Sequence, residues 1–370
     1  MKKGDRTLRL LVCAGGTGGG AFPALAVLQA LRARHADVQT LWVGSRGGME
    51  GDLVRRAGFP FEAIPAAGLH GVGIGALPRN MAQLIGGFIA SRRILQRFRP
   101  DVLFFTGGYL AGPMALAGNR VPTALYVPDI EPGLALKALA KLADRICVTS
   151  RRTQGFFAKR VTVTGYPVRS DLLRWTKQEG RRALELDDRL PVLLVAGGST
   201  GARSINQALT ANLEQLLEVT QVVHLTGRGE FDAVTRATSG LSATQRRRYK
   251  QFAFLDENMG AALAAADFAV MRAGASVLGE LPALGLPAIL APYPHAWRYQ
   301  WVNARYLVEH QAAIMIEDAA LEDELLGTVK SLLHDRDRSD SMRLAMRSLA
   351  HPEAADAVAG QLMELGGHRA

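Results

Sequence analysis

Glycines crowd one stretch near the amino terminus of the 370-residue chain, AGGTGGGAF at positions 14–22, where they fill five of six consecutive positions. The stretch follows an apolar run, LRLLVC, and precedes a helix-forming pattern, PALAVLQALRAR. A strand that ends in glycines and continues into a helix directs backbone N–H groups at one spot, which suits a phosphate or a diphosphate. A tight strand–helix turn that binds nothing has the same pattern, so this motif alone leaves both interpretations open.

Three further stretches carry groups that suit the same chemistry. FFTGGYLAGP, residues 104–113, is a second glycine-rich strand end, and AGGSTGAR, residues 196–203, adds hydroxyls and a guanidinium. The stretch from Met271 to Leu307 places Glu280 low on a helix that follows a strand. Ligands of open parallel sheets bind beyond the carboxyl ends of the strands. We therefore expect the four loops to line one cleft between two domains.

Two common nucleotide sites lack their diagnostic residues here. A dinucleotide site has an acidic residue at the end of the second strand, where this chain has Gly44-Ser45-Arg46. An ATP-hydrolysing phosphate loop has a lysine after its glycines, where this chain continues with Ala21-Phe22-Pro23. The sequence therefore disfavours both a redox dinucleotide and ATP hydrolysis.

Short apolar runs alternate with helical patterns along the chain, which is typical of an α/β protein with doubly wound parallel sheets. The strand–glycine–helix plan recurs about half a chain later, so we predict two similar Rossmann-like domains. The predicted divisions are a first domain at 1–165, a second at 166–345, and a helix at 346–370 that packs back toward the first. The predicted strands are Leu8–Ala14, Thr40–Gly44, Val102–Thr106, Thr123–Val127, Arg145–Thr149, Val192–Ala196, Val222–Thr226, Ala253–Leu255, Phe268–Met271 and Ala288–Ala291, and the predicted helices include Pro23–Arg34 and Met81–Arg97.

The composition indicates an anionic partner. Lys and Arg number 44 against 34 Asp and Glu, a net charge of +10 that suits phosphorylated substrates or an anionic membrane surface. Aromatic residues make up only 6% and no basic run is interleaved with them, which disfavours nucleic acid. Cys13 and Cys147 lie in apolar runs, and we expect them to be buried in a protein of a reducing compartment. Neither a signal peptide nor a membrane span is predicted.

Nine short motifs carry a resemblance to a known family. They are GGTGG at 15–19, FPALAV at 22–27, GGYLAGP at 107–113, PGL at 132–134, TGYPVR at 164–169, GGSTGAR at 197–203, RAGA at 272–275, GLPAI at 285–289, and Gln300 with Asn303. In this order they resemble the MurG-like GlcNAc transferases over nearly the whole chain. The resemblance implies a GT-B fold and inverting transfer of GlcNAc from UDP-GlcNAc to the 4-hydroxyl of a lipid-linked muramoyl peptide in peptidoglycan synthesis. The residues themselves predict neither a cofactor nor a metal.

The resemblance also assigns roles to residues of the motifs. Glu280 would hold the ribose hydroxyls, and Leu255 would offer its backbone to the uracil. Ser199 and the helix start at 275–280 would face the diphosphate, while Arg169 and Gln300 would contact the nucleotide sugar. The glycine turn would lie at the sugar and acceptor side. The implied substrate-binding residues are Thr17, Gly18, Gly19, Asp129, Arg169, Ser199, Leu255, Ala275, Ser276, Val277, Leu278, Gly279, Glu280 and Gln300.

The departing UDP needs its growing negative charge neutralised by a metal or by fixed dipoles. Asp335 and Asp337, in HDRDRSD, are typical of a solvated helix end rather than of a metal site. We therefore expect helix N-termini, together with Arg203 or Arg272, to neutralise the charge without a metal.

Three positions in or at the edge of the first domain depart from the family motifs. Gly20 stands where the family has a histidine after GGTGG, Tyr126-Val127-Pro128-Asp129 replaces HEQN, and Tyr166 replaces the asparagine of GNPVR. Because the missing histidine is a candidate for activating the acceptor, another group must act as the base or the rate must fall. Asp129 and Glu131 follow a strand at its carboxyl end and are the candidate catalytic bases.

Other interpretations of these residues stay open. Asp129 also suits the cap of a turn beside Pro128. His70, in GLHGVGIG, lies in a candidate acceptor loop, although a lone loop histidine is more often solvated. Beside the MurG-like activity, the departures leave two alternatives, a GT-B transferase with another lipid-linked or small acceptor and a nucleotide-sugar-binding protein with little catalysis.

The segment from Leu77 to Pro100 combines an apolar face with a basic end. Leu84, Ile85, Phe88 and Ile89 are followed by four arginines at positions 92, 93, 97 and 99. Such a helix suits the surface of an anionic membrane leaflet, and it also suits an ordinary helix that covers the sheet. A lipid-linked acceptor favours the first interpretation, a peripheral protein on the cytoplasmic face of the membrane.

Overall fold

The computed structural model describes residues 7–15, 18–34, 38–46, 48, 50–66, 77–107, 110–198, 201–295 and 298–368. Packing divides the chain into two units. The first comprises Met1–Arg169 and His351–Ala370, and the second comprises Ser170–Ala350. The predicted boundary after residue 165 thus lies slightly before the observed one, and the segment predicted as one terminal helix at 346–370 is shared between the units.

The described part of the first unit contains a seven-stranded sheet in which every pairing is parallel. Its spatial order is β3-β2-β1-β4-β5-β6-β7. The strands are β1 (Leu8–Cys13), β2 (Val38–Ser45), β3 (Phe61–Ile64), β4 (Val102–Phe105), β5 (Thr123–Val127), β6 (Arg145–Val148) and β7 (Thr162–Val163). The helices are α1 (Gly18–Arg34), α2 (Glu50–Arg56), α3 (Leu77–Phe98), α4 (Ala111–Ala117), α5 (Leu134–Leu142) and, from the end of the chain, α16 (Ala354–Leu365).

Helices cover both faces of this sheet because successive residues of a strand point to opposite sides. In β1, Leu10 and Val12 belong to one apolar core, whereas Leu11 and Cys13 belong to another. The first core is shared with α1 and α16, and the second with α3, α4 and α5. A strand buried on both faces reads as a continuous apolar run, which is why LRLLVC was recognisable as a strand.

Helix α16 completes the first unit although it follows the second in the sequence. Val358, Ala359, Leu362 and Met363 are buried in the core that α1 and the first sheet share. Just beyond the helix, Gly366 lies so close to β1 that an added Cβ would be 2.4 Å from the Cδ1 of Leu8. The carboxyl-terminal segment is therefore part of the core of the first unit rather than an appendage.

The second unit repeats the plan with six parallel strands among its described residues, in the order β10-β9-β8-β11-β12-β13. The strands are β8 (Val192–Ala196), β9 (Gln221–Leu225), β10 (Tyr249–Phe252), β11 (Phe268–Met271), β12 (Ala288–Leu290) and β13 (Ala313–Met315). The helices are α6 (Ser170–Leu173), α7 (Lys177–Ala183), α8 (Arg203–Val219), α9 (Phe231–Ala237), α10 (Ala243–Arg248), α11 (Met259–Ala265), α12 (Glu280–Leu284), α13 (Tyr299–Glu309), α14 (Leu321–His334) and α15 (Arg336–Ser348). The prediction of two doubly wound α/β domains is confirmed.

Three predicted elements differ from the observed ones by more than about two residues at one end. The strand predicted at Ala253–Leu255 is wrong, because the strand is Tyr249–Phe252 and the apolar residues that follow lie beyond its end. This strand forms one edge of its sheet, so it carries polar residues that an apolar-run criterion rejects. Helix α1 begins at Gly18 rather than at Pro23, and α3 extends beyond the predicted range at both ends.

Each sheet has one point where the winding reverses. In the first sheet the chain runs outward from β1 through β2 and β3, and then continues on the other side of β1 with β4. In the second sheet the same reversal occurs between β8 and β11. The carboxyl edge at such a switch point is where doubly wound sheets bind ligands. Both sheets therefore carry their candidate ligand site where a glycine-rich motif follows the strand.

None of the described helices is both long enough and apolar enough to cross a membrane.

Candidate active site

The glycine turn of the first unit connects β1 to α1 at the switch point. The indole Nε1–H of the buried Trp42 donates to the carbonyl of Ala14, 2.9 Å away. The hydroxyl of Thr106, just beyond β4, donates to the carbonyl of Gly20 at 2.7 Å. Gly18 and Gly19 form the first turn of α1, while Thr17 lies outside the described residues. These bonds tie Ala14, before the turn, to β2 and Gly20, in the first turn of α1, to the residue that follows β4.

Gly20, which replaces the family histidine, has room for a side chain. An added Cβ would lie 3.5 Å from the carbonyl oxygen and the hydroxyl of Thr106, an ordinary contact distance. Because glycine is less favourable than alanine inside a helix by about 0.5–1 kcal/mol, Gly20→Ala is expected to raise the melting temperature by roughly 1–4 °C.

Calorimetry checks this prediction, and Gly201→Ala is the control. At Gly201, φ is +81° and an added Cβ would be 2.4 Å from the carbonyl oxygen of Thr226. We expect the control substitution to lower the melting temperature. A fall for Gly20→Ala as well would contradict the space that the structure shows at Gly20.

The two candidate bases lie at the carboxyl end of β5. The hydroxyl of Thr149 donates to the carbonyl of Pro128 at 2.7 Å, and that of Thr153 donates to the carbonyl of Ile130 at 3.0 Å. Asp129 is partly exposed on this anchored segment, whereas Glu131 is buried. Because β5 is two strands away from β1, about 10 Å at the usual strand spacing, neither carboxylate adjoins the glycine turn directly.

Two tyrosines that depart from the family motifs contact each other. Tyr126 and Tyr166 pack edge to face with ring centroids 6.4 Å apart. The hydroxyl of Tyr126 is 2.7 Å from the hydroxyl of Thr149 and donates to the carbonyl of Gly165 at 3.2 Å. Burial raises the pKa of Tyr126 well above its usual value, so its phenol stays protonated and is no substitute for a missing base.

Arg169 is the last residue of the first unit and is buried. Its guanidinium lies over the ring of Phe22, with Cζ 4.9 Å from the ring centroid. Phe22 belongs to α1, so this cation–π pair holds the end of the TGYPVR motif against the helix that the glycine turn begins. His70 lies outside the described residues.

The second glycine motif forms the loop between β8 and α8. Gly198 and Gly201 have φ values of +92° and +81°, which residues with a Cβ rarely adopt. Ser199 lies outside the described residues. Helix α8 is 17 residues long and begins at Arg203, whose side chain is exposed. The loop therefore presents the amino end of a long helix and one guanidinium at the switch point, a combination that attracts anions.

A buried hydrogen-bond network lies beneath this loop. Asn206 donates from Nδ2 to the carbonyl of Thr226 at 2.9 Å, so its Oδ1 accepts from Nε2 of His224 at 3.0 Å. The Nδ1 of His224 then accepts from the hydroxyl of Tyr249 at 2.8 Å. Every polar atom of His224 is satisfied in the neutral form of the ring, so the network holds β9, β10 and α8 together.

Stability of the second unit is expected to decline below neutral pH because of His224. Burial lowers the pKa of His224 from 6.5 to about 3. Between these values the unfolded chain binds a proton that the folded chain does not. The free energy of unfolding therefore falls as the pH falls, by up to about 1.4 kcal/mol per pH unit.

Urea unfolding between pH 4 and 7 tests this expectation, with His224→Gln as the comparison. The variant should be less stable at pH 7, and its stability should depend on pH less steeply by about one proton. If the free energy of unfolding depends on pH equally in the native protein and in the variant, His224 is not the source of the pH dependence.

The segment after β11 carries the predicted nucleotide residues. A 3₁₀ turn spans Ala275–Leu278, and Gly279 leads into α12, whose first residue is Glu280. The Glu280 side chain is 8% exposed. A carboxylate at a helix start is favoured by the helix dipole and can accept hydrogen bonds from two neighbouring hydroxyls. This placement suits the ribose-binding role that the resemblance implies.

Of the two arginines considered for the diphosphate, Arg272 has a structural role. Its guanidinium forms an ion pair with Asp318 and donates to the carbonyl of Ala291 at 3.0 Å and to the hydroxyl of Ser204 at 2.7 Å. Buried and committed to these partners, it ties β11 to β12 and α8. Of the two arginines, Arg203 is the exposed one, and it is the one that we expect to meet a ligand.

Two polar residues of α13 and one apolar residue complete the candidate donor site. The amide oxygen of Gln300 accepts from the backbone N–H of Tyr293 at 2.9 Å, so the group with which Gln300 can donate to a ligand is its amide N–H₂. Asn303 is fully buried and donates to the carbonyl of Ala273 at 3.1 Å, so it supports the loop after β11. Leu255 follows the edge strand β10 with its side chain buried.

Both cysteines are buried, as predicted, and both thiols are free. Burial raises the pKa of Cys147 to about 12 and raises that of Cys13 further, so neither thiol is a reactive nucleophile. Within the described ranges, no group of three or more His, Cys, Asp or Glu side chains has an arrangement that could hold a metal ion.

Comparisons with known proteins agree with this architecture. The glycosyltransferase family 28 N-terminal domain matches residues 10–148, and the family 28 C-terminal domain matches residues 192–358. The protein is accordingly a hexosyltransferase of the GT-B fold.

Closer relatives narrow the class. Two of them are named UDP-N-acetylglucosamine--N-acetylmuramyl-(pentapeptide) pyrophosphoryl-undecaprenol N-acetylglucosamine transferase. The relative from Roseiflexus sp. (strain RS-1) is 40% identical and aligns with 95% of this chain and 94% of its own length. The relative from Desulforudis audaxviator (strain MP104C) is 38% identical, with 97% and 99% aligned. The crystal structure of Acinetobacter baumannii MurG superposes with a TM-score of 0.74 at 26% identity and covers 97% of this chain. The chain belongs to the MurG family of glycosyltransferases.

Sequence reasoning missed several residues that shape these sites. The sequence spacing of Asn206, His224 and Tyr249 gives no signal of a network. These residues meet only because β9 pairs with β10 and α8 packs against them. Glu50 is buried at the start of α2, and in the sequence it is an ordinary acidic residue of a helix amino terminus. Only the tertiary structure distinguishes such a residue from a solvated one.

Proposed function

We propose that the protein transfers GlcNAc from UDP-GlcNAc to the 4-hydroxyl of a lipid-linked N-acetylmuramoyl peptide, with UDP as the leaving group. The observation that carries this proposal is the coincidence of each sheet's switch point with a glycine motif of the family. In this proposal the second unit binds the donor, and the first unit binds the acceptor.

The donor would bind at the carboxyl edge of the second sheet. Glu280 would accept hydrogen bonds from the ribose hydroxyls, and the backbone of Leu255 would pair with the uracil. The diphosphate would meet the amino end of α8 and the guanidinium of Arg203, since Arg272 is committed to Asp318. Fixed N–H dipoles and one guanidinium stabilise the charge that grows on UDP as the bond to the sugar breaks.

Transfer with inversion needs a base at the acceptor. The 4-hydroxyl oxygen attacks the anomeric carbon, its proton passes to the base, and the electron pair of the broken C–O bond leaves on the β-phosphate.

We favour Asp129 over Glu131 as the base, because Asp129 is partly exposed whereas Glu131 is buried. Asp129→Asn should then lower kcat by about 10²–10⁴-fold. A smaller loss for Asp129→Asn than for Glu131→Gln would reverse the assignment.

A direct transfer assay tests the proposed reaction. The protein is incubated with labelled UDP-GlcNAc and a short-chain lipid I analogue, and the disaccharide lipid product is measured. Formation of this product supports the proposal. Binding of UDP without turnover on any acceptor would contradict it and favour a nucleotide-sugar-binding protein.

A second acceptor class is favoured by one specific observation. Tyr126 and Tyr166, which replace a histidine and an asparagine of the family motifs, form a buried pair at the carboxyl end of the first sheet. This paired replacement of polar by aromatic residues alters the packing beneath the carboxyl edge of the first sheet, which supports a changed acceptor site. UDP release with other lipid-linked or small acceptors, but not with lipid I, would establish this alternative.

We also propose that the first unit associates peripherally with the cytoplasmic face of the membrane. Met81, Ile85 and Ile89 on α3 are each about half exposed, and Arg92 and Arg93 follow them, both exposed. Apolar side chains enter the headgroup region, while each basic residue near an anionic surface contributes about 1 kcal/mol.

Vesicle flotation tests whether α3 binds a membrane surface. Ile85→Asp should reduce binding to vesicles that contain phosphatidylglycerol, whereas Leu344→Asp, at an exposed leucine of α15 in the second unit, should not. Equal loss in both variants would contradict a membrane-binding role of α3.

A further inference from the structure

Glu50 is a buried carboxylate that the proposed mechanism does not use. It is 1% exposed and is the first residue of α2. Its Oε1 accepts two hydrogen bonds from the last residue of β2, one from the backbone N–H of Ser45 at 2.8 Å and one from its hydroxyl at 2.7 Å. Its Oε2 is buried and meets no hydrogen-bond donor among the residues that the structure describes.

Glycines enclose this carboxylate. An added Cβ on Gly15 would lie 2.5 Å from Oε1, and one on Gly48 would lie 2.2 Å from Oε2. At a third glycine, Gly44, an added Cβ would lie 3.0 Å from the Cγ of Glu50. Real Cβ atoms do not approach oxygen so closely, so the backbone at Gly15 and Gly48 reaches its position only because both residues lack a side chain. The first glycine of the AGGTGGG motif therefore makes room for a protein side chain.

We infer that Glu50 is a positioning residue of the transfer reaction, which sets the place of the β1–α1 turn on the acceptor side. Its carboxylate fills the space beneath Gly15 and is itself held by Ser45. The turn that continues into Gly18, Gly19 and α1 thus rests on the end of β2 as well as on Trp42 and Thr106. This inference rests on the proposed function for the acceptor-binding role of the turn.

The chemistry of Glu50 supports a functional role rather than a purely stabilising one. Within the described part of the chain, Oε2 of Glu50 meets no donor, and a buried carboxylate oxygen without a donor costs folding free energy because it has lost its water. A glutamine would fill the same space without a buried charge, whereas an apolar side chain would leave the N–H and the hydroxyl of Ser45 without this acceptor. Groups that lower stability in a well-packed unit are typical of functional sites.

Steady-state kinetics with a double-mutant cycle tests the inference. Glu50→Ala empties the space beneath Gly15 and should lower kcat/KM for the lipid-linked acceptor by about 10- to 100-fold, the scale expected for a displaced binding group. The KM for UDP-GlcNAc should stay within about twofold, because the donor site lies in the other unit. Glu50→Gln, which keeps the shape, should retain acceptor activity within about threefold and should melt no lower than the native protein.

The cycle with Gly15 locates the effect. Gly15→Ala alone should lower the melting temperature and the acceptor kcat/KM, and in the Glu50→Ala background the same substitution should have little further effect, since its clash is gone. Gly44→Ala is the matched control. Its Cβ would also meet the ring of Phe61 at 2.5 Å, so Glu50→Ala should not relieve it.

Several results would overturn the inference. The first is that the effects of Gly15→Ala and Glu50→Ala on the melting temperature add up. The second is that Glu50→Ala leaves kcat/KM for the acceptor unchanged, or lowers kcat/KM equally for the acceptor and for UDP-GlcNAc. The third is that Glu50→Gln lowers kcat/KM for the acceptor as much as Glu50→Ala does. The melting-temperature cycle does not depend on turnover. If the native protein fails to glycosylate lipid I, the proposed function fails, while coupling between Glu50 and Gly15 is still measured.

Discussion

Glu280→Gln is expected to weaken the binding of UDP-GlcNAc by about 10- to 100-fold, because hydrogen bonds to a charged group are worth about 1.5–3 kcal/mol. The buried carboxylate begins α12 at the switch point of the second sheet. In our proposal both of its oxygens accept from the ribose, and an amide keeps only one acceptor while adding a donor. Titration calorimetry with UDP measures the loss without the need for an acceptor.

The matched control is Glu324→Gln on α14, a glutamate that is exposed and lies in the first turn of its helix. Both substitutions remove one negative charge near a helix amino end, so a general electrostatic effect would appear in both. UDP affinity that is unchanged in Glu280→Gln, or reduced equally in the control, would contradict the proposed donor site.

Leu362→Ala is expected to destabilise the first unit by about 2–5 kcal/mol, the usual cost of removing a fully buried leucine. Leu362 is 0% exposed in the core that α16 shares with α1 and the first sheet. For a unit of this size, the loss lowers the melting temperature by about 5–15 °C. Calorimetry should show the transition of the first unit moving to lower temperature.

Binding of UDP provides the check on where the damage lies. The donor site belongs to the second unit in our proposal, so Leu362→Ala should bind UDP normally at 25 °C. Leu344→Ala, on the exposed face of α15, should change neither property. A loss of UDP binding together with early melting would mean that the two units do not unfold independently.

Buried parallel strands were the most predictable elements of the fold. Val192–Ala196 and Thr123–Val127 were predicted with the bounds that they have, because a strand covered on both faces is a continuous apolar run. Edge strands were not predictable in this way. Phe61–Ile64 and Ala313–Met315 were missed, and Tyr249–Phe252 was placed a few residues too late, since short edge strands mix polar and apolar residues.

The residues of the candidate sites also differ in how far the sequence predicts them. The glycine motifs located both switch points, because positive φ values and close backbone approaches restrict those positions to glycine. The partners of charged side chains could not be predicted from sequence. Arg203 and Arg272 looked equivalent, yet Arg272 forms an ion pair with Asp318, which lies 46 positions away. Nothing in the sequence links Glu50 to Gly15, because their contact depends on strand register.

The position of α16 in the core of the first unit determines when that unit can finish folding on the ribosome. Its sheet emerges early, but the last helix that covers it is made only after the whole of Ser170–Ala350. At 5–20 residues per second, translation of that stretch takes roughly 10–40 s. During this time the apolar side chains that α16 later covers are open to water and to neighbouring nascent chains. The second unit, which is contiguous in sequence, can complete its own fold first, so this enzyme is expected to depend on chaperones mainly through its amino-terminal half.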